Sequence, residues 1–229
     1  MKRLFVMAAV IAFLALSRML VFAAETPPAA DERTAQNAEV RIVHASPDAP
    51  AVDIFVDDKA LVEGAKFKDV ANSLPLAAGS HKVEVYEAKT KGTKGTKDSI
   101  IEATLVVDGG KSYTVAAVNK VENLELQAFT NNKQGMDGKA SLRVAHLSPD
   151  APAVNVGPKG AAPLFKDLSF KSISGYQVVN PGSYDLSVST ADGKEILSLP
   201  GTNLQSGKNY TVLAVNTADK LETIVLQDN

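Results

Sequence analysis

The chain has 229 residues, 45% of them hydrophobic and 22% charged, with a formal net charge of −2 and no cysteine. That is the composition of a folded globular protein rather than a disordered one, and the missing thiols exclude disulfides, thiolate metal sites, a cysteine nucleophile and lipidation at an amino-terminal cysteine. A mildly acidic chain is also a poor partner for nucleic acid.

Residues 1–23 open with Lys2 and Arg3, continue through the apolar run Leu4 to Leu16, and end on Val21, Phe22 and Ala23. This is the pattern of a cleaved secretory signal. Arg18 leaves the uninterrupted run well short of the roughly 20 residues that a membrane-spanning helix needs, so an uncleaved anchor is the second reading. Removing Lys2, Arg3 and Arg18, and no acid, leaves 21 basic against 26 acidic residues, −5 in place of −2. No comparable apolar run follows, so no membrane span is expected after cleavage, and the mature protein is expected to be secreted, periplasmic or at the cell surface. Residues 24–37 are rich in Ala, Pro and polar residues without periodicity and read as a flexible tether.

The rest is a tandem duplication. Arg41-Ile42-Val43-His44-Ala45-Ser46-Pro47-Asp48-Ala49-Pro50-Ala51-Val52-Asp53 returns as Arg143-Val144-Ala145-His146-Leu147-Ser148-Pro149-Asp150-Ala151-Pro152-Ala153-Val154-Asn155. In the first copy Val40, Ile42 and His44 alternate with Arg41, Val43 and Ala45, the period of a half-buried strand with the arginine on its polar face. Ser-Pro-Asp supplies a turn, the second proline forbids a helix, and Val52, Ile54 and Val56 begin a second strand.

Further along, Ala65 to Val70 and Leu74 to Leu76 read as short strands, and Ala78-Gly79 as a turn into His81 to Glu87. Ile101, Ala103, Leu105 and Val107 mark the next strand. Asp108-Gly109-Gly110 then reads as a tight hairpin reversal into Tyr113 to Val118, and Leu124 and Leu126 alternate with Glu125 and Gln127 in the last strand. Residues 131–139 are polar and glycine-containing, a linker. Gly79-Ser80 matches Gly182-Ser183 at an offset of 103, and Lys111 to Val115 matches Lys208 to Val212 at 97. The six-residue difference falls at the Lys89 to Lys97 tip, whose counterpart is the compact Ala191-Asp192-Gly193-Lys194. A length change is tolerated best in a loop, which supports the strand reading on either side.

The expected fold is all-β: two tandem immunoglobulin-like β-sandwich domains of about seven strands each, at 38–130 and 140–229, with a small barrel as the alternative.

His44, Ser46, Asp48 and Asp53, with His146, Ser148 and Asp150, are the candidate site residues. As a hydrolase they lack a glycine-flanked nucleophile elbow and a recognisable oxyanion loop. As a calcium or zinc site His44, Asp48 and Asp53 are suitable ligands around one turn, but the second copy carries Asn155 in place of Asp53. The structural reading has the histidine on an inward face bonding turn backbone and the aspartate capping amides. Lys89, Lys91, Lys94 and Lys97 could dock on an anionic polymer or lipid surface, or be merely solvated. Tyr113, Tyr176, Tyr184 and Tyr210 suit core or edge packing better than a carbohydrate platform, and the Asn209-Tyr210-Thr211 sequon lies in an expected strand.

The run His-x-Ser-Pro-Asp-Ala-Pro-x-Val-Asp, with Leu74 to Gly79 and Tyr113 to Val118, resembles the signature of a bacterial secreted family, the domain of unknown function (DUF) 4397. The second copy departs from it at Gly157-Pro158-Lys159-Gly160. The resemblance implies an extracytoplasmic β-sandwich module, often in tandem, with no established activity. The expected function is a non-catalytic secreted or cell-envelope module that binds a surface polymer or an envelope protein, without a cofactor.

Overall fold

A computed structural model describes residues 36–88 and 98–229. The signal, most of the tether and the Lys89 to Lys97 tip lie outside these residues. The described chain is all-β, its helical content limited to 3₁₀ turns.

The first half has eight strands where the sequence suggests about seven: β1 (Ala38–His44), β2 (Val52–Val56), β3 (Lys59–Ala65), β4 (Val70–Leu76), β5 (Gly79–Glu87), β6 (Ile101–Val107), β7 (Ser112–Val118) and β8 (Glu125–Asn131). They form two sheets, ordered β4-β1-β7-β8 and β3-β2-β5-β6. The second half repeats them as β9 (Ala140–His146), β10 (Val154–Pro158), β11 (Phe165–Leu168), β12 (Gln177–Val179), β13 (Gly182–Thr190), β14 (Glu195–Leu204), β15 (Asn209–Val215) and β16 (Glu222–Gln227). Its sheets run β12-β9-β15-β16 and β11-β10-β13-β14. The first strand of each half lies parallel to the seventh, β1 on β7 and β9 on β15.

The expected strand from Ala65 to Val70 is instead the turn between β3 and β4. Lys68 sits there in the left-handed region at φ 71°, and Asp69 accepts the Lys66 N–H, so an extended path is broken. The hairpin expected at Asp108-Gly109-Gly110 is also absent. β6 pairs with β5 in one sheet and β7 with β1 in the other, so these residues carry the chain across the sandwich. A tyrosine pins the crossing: Tyr113 Oη accepts the Asp108 N–H at 3.0 Å, and Tyr210 Oη accepts the Gln205 N–H at 3.1 Å in the second half. The aromatic ring enters the core while its hydroxyl satisfies a backbone amide that no ladder reaches.

Each sandwich has its own apolar core, built from Val40, Ile42, Ile54, Val83, Val85 and Val115 in the first half and from Leu142, Val144, Val156, Leu186, Val188 and Val212 in the second. A third cluster joins the halves. Val43, Ala45, Ala116 and Val118 of β1, β7 and the loop after β1 pack with Ala145, Leu147, Leu213, Val215 and Leu226 of the second half. β1 is therefore buried on both faces rather than half-buried, as are β7, β9 and β15. The Val43 and Ala45 face, which carries the arginine and so reads as polar, is covered by the other half.

Candidate functional site

The signature forms the arch that carries β1 into β2, and β9 into β10. His44 points into the arch and its Nε2 donates to the Pro50 carbonyl at 3.1 Å; His146 does the same to Pro152 at 3.0 Å. The imidazole thus closes a loop of six residues and is itself buried, 1% exposed at His44 and 0% at His146. Burial disfavours the charged ring and pulls the His146 pKa below its ordinary value, against the hydrogen bond to Pro152.

Asp48 Oδ1 accepts the Val121 N–H at 2.8 Å and Asp150 Oδ1 accepts the Ala218 N–H at 2.8 Å. Val121 and Ala218 open the 3₁₀ turns Val121–Asn123 and Ala218–Lys220, so each aspartate ties its arch to the turn before the last strand. Ser46 and Ser148 are fully buried. The Ser46 hydroxyl reaches Asp48 at 3.5 Å, and neither serine hydroxyl bonds its neighbouring histidine.

Asp53 and Asn155 explain each other. Asp53 Oδ1 accepts the Gly64 N–H at 2.7 Å and Asn155 Oδ1 accepts the Asp167 N–H at 2.9 Å. Gly64 and Asp167 occupy the same bulge in the neighbouring strand, at φ 64° and 53°. The position needs one acceptor oxygen, which a carboxylate and an amide both supply. The three residues weighed as metal ligands thus address three different backbone groups, and among the described residues no three His, Asp or Glu side chains converge on a common point.

The remaining candidates are placed as packing groups. Tyr113 and Tyr210 are core residues, and the Tyr184 hydroxyl donates to the Asn180 carbonyl. Asn209 is 1% exposed, with its amide nitrogen on the carbonyls of Asn132 and Gln134, so the sequon is closed in the folded chain.

The groups missed at the sequence level sit between the halves. Arg41 donates to Asp228 Oδ1 at 2.8 Å and to the Gln227 carbonyl; Arg143 donates to Asn131 Oδ1 and the Thr130 carbonyl, both at 2.7 Å. Thr114 donates to Asn131 and Thr211 to Asp228. Outside this cluster Lys68 pairs with Glu222 and Lys171 with Glu125. Each contact has its mirror image under exchange of halves, the rule for an isologous interface. Arg143 is further sandwiched between Phe129 and Tyr176, at 4.8 and 4.4 Å from the ring centroids. Burial, and then Asp228, push the Tyr176 hydroxyl up to about 12. An arginine recurring in an otherwise apolar strand, at Arg41 and Arg143, was the available signal.

The family model for the domain of unknown function DUF4397 matches residues 38–157 and 160–229. The chain belongs to the DUF4397 family. It carries the DUF4397 repeat twice, and the signature of that repeat is, in both copies, the arch described above. No curated protein matches the sequence. Among solved structures, the chain is similar to a fimbrial assembly protein from Parabacteroides distasonis, at 12% identity over 82% of this chain and 94% of that one, with a TM-score of 0.25.

Proposed function

We propose that this DUF4397 protein is a non-catalytic module of the secreted or cell-envelope compartment, which binds a surface polymer or an envelope protein. One observation carries the non-catalytic part. The histidines and aspartates of the signature, with Asn155, each bond a backbone group of their own repeat, which supports reading the motif as a clamp on the arch. A nucleophile and its base need mutual contact and access to substrate, and the buried His-x-Ser pairs have neither. The compartment follows from the basic and apolar amino-terminal residues together with the family's membership pattern in the resemblance above; among the described residues no helix is long and apolar enough to cross a membrane.

Retention of the purified chain on cell-wall and outer-surface fractions tests the binding part, and passage through every fraction refutes it. Calcium and zinc titrations with thermal melting test the rival metal-dependent reading. A ligand that prefers the native state must raise the midpoint, and the expected result is no shift with either ion.

A further inference from the structure

The two arginines on the boundary between the halves hold matching positions in unlike surroundings. The strand paired with β1 sets Leu74 beside Val40, and the strand paired with β9 sets Gln177 beside Leu142, so Ser73 holds the position of Tyr176. By the same comparison of paired strands Ser112 corresponds to Asn209 and Asn131 to Asp228, and Asn132 therefore to Asn229. In the second half the Tyr176 ring lies on the Arg143 guanidinium at 4.4 Å; its hydroxyl accepts the Asn132 N–H at 3.3 Å and donates to Asp228 Oδ2 at 2.7 Å. In the first half a serine stands in the place of that ring, and a half-open pocket of about 160 Å³ lies beside Arg41. A cavity of about 150 Å³ holds a benzene ring.

The pocket is lined by counterparts of the groups that hold Tyr176. Arg41 and Asn229 stand for Arg143 and Asn132, and Ser112 lines the wall where the second half carries the bulkier Asn209. Arg41 donates to Asn72, to Asp228 and to the Gln227 carbonyl. Those bonds leave from the edges of the planar guanidinium, so its face is left for stacking, and among the described residues no aromatic ring lies over it. Ser112 Oγ accepts from Asn131 Nδ2 at 3.1 Å, and no described residue accepts its own O–H. The charges are already balanced, Arg41 against Asp228 and, at the rim, Lys133 against Glu39. A neutral aromatic ring with one hydroxyl therefore suits the pocket better than an ion does.

We infer that this pocket binds a small neutral phenol, its ring on the face of Arg41 and its hydroxyl against Ser112 and Asn229. The ligand takes the place that Tyr176 fills in the other half. The inference holds whichever compartment the chain occupies and whether or not it binds an envelope polymer.

The test is ligand-observed NMR with amide-shift mapping on the full chain. The probes are p-cresol, the tyrosine side chain as a free molecule, and 4-methylcyclohexanol, which keeps the size and the hydroxyl but has no π face. p-Cresol should bind saturably, shift the Ser73, Ser112 and Asn229 amides, and bind about two- to fivefold more tightly than the saturated alcohol, the range of a partly exposed cation–π contact. Asn72→Gly with Ser73→Tyr rebuilds the Gly175-Tyr176 pair beside Arg41 and should abolish binding. Arg41→Lys keeps a charge beside Asp228 but removes the planar face; it should weaken p-cresol to the level of 4-methylcyclohexanol, and it serves if the double variant does not fold. No binding of p-cresol, shifts confined to other residues, equal binding of the saturated alcohol, or undiminished binding by either folded variant overturns the inference.

Discussion

Asp53 illustrates how little a side chain's charge says about its task. Its oxygen holds the Gly64 amide in a bulge, and Asn155 does the same for Asp167. Asp53→Asn is therefore expected to change stability by less than about 1 kcal/mol, whereas Asp53→Ala, which strands the amide, should cost about 1–3 kcal/mol. Urea melts of the two variants check this, and equal losses would contradict the acceptor role.

The histidines separate in the same way. Burial works against the charged form of His81, but Asp57 at 2.6 Å and the Ala77 carbonyl at 2.7 Å outweigh it and raise its pKa, while burial lowers that of His146. The raised group stabilises the fold at low pH, and that contribution is lost as pH climbs through its folded value above about 6.5. For His146 the sign reverses: the contribution is present at high pH and fades as pH falls below about 6.5. Imidazole NMR titration should place His81 above and His146 below the ordinary histidine range, and Asp57→Asn should bring His81 back down. Asp57, held low by the His81 hydrogen bond first and the Lys82 amide second, adds stability above about pH 4 that acid removes.

At the scale of elements the informative feature is the arch. A chain that moves from one sheet to the other leaves its ladder, and each orphaned amide needs another acceptor. Asp48 and Tyr113 supply them in the first half, Asp150 and Tyr210 in the second. Asp48→Ala removes an acceptor from the start of a 3₁₀ turn and is expected to destabilise by about 0.5–2 kcal/mol, the range for losing a helix cap. Matching losses at Asp48 and Asp150 in thermal melts are the expected outcome, and no loss at either would show that the tie is idle. The arch at Ser-Pro-Asp is legible because proline and aspartate declare a turn. The crossing at Asp108-Gly109-Gly110 is not, because the same residues serve a hairpin equally well, and only the pairing partners of β6 and β7 distinguish the two.

At the scale of the molecule the four sheets stack as successive layers, and the two middle ones hide the third apolar cluster. Arg41 and Asp228 form an ion pair across that boundary, with side-chain exposures of 13% and 0%. Truncating one partner of such a pair leaves the other charge buried, a loss of about 3–5 kcal/mol. Arg41→Ala and Asp228→Ala should therefore each destabilise strongly, while the double variant loses much less than their sum. Calorimetry should also record one transition for both halves, because neither inner sheet is covered without its partner; additive effects or two separated transitions would show the halves to be independent. The exposed pairs Lys68 with Glu222 and Lys171 with Glu125 are expected to add little.

The sequence by itself determined the duplication, the all-strand class and the two arch positions, since period-two patterning and proline-bounded turns are local properties of the chain. The mutual packing of the halves, the roles of Arg41, Arg143 and Asp228, and the pocket beside Arg41 were decided only by the tertiary structure. Each depends on which face of a strand meets which neighbour across roughly a hundred residues or more, and on side-chain volumes compared between two copies, neither of which leaves a mark on any single stretch of sequence.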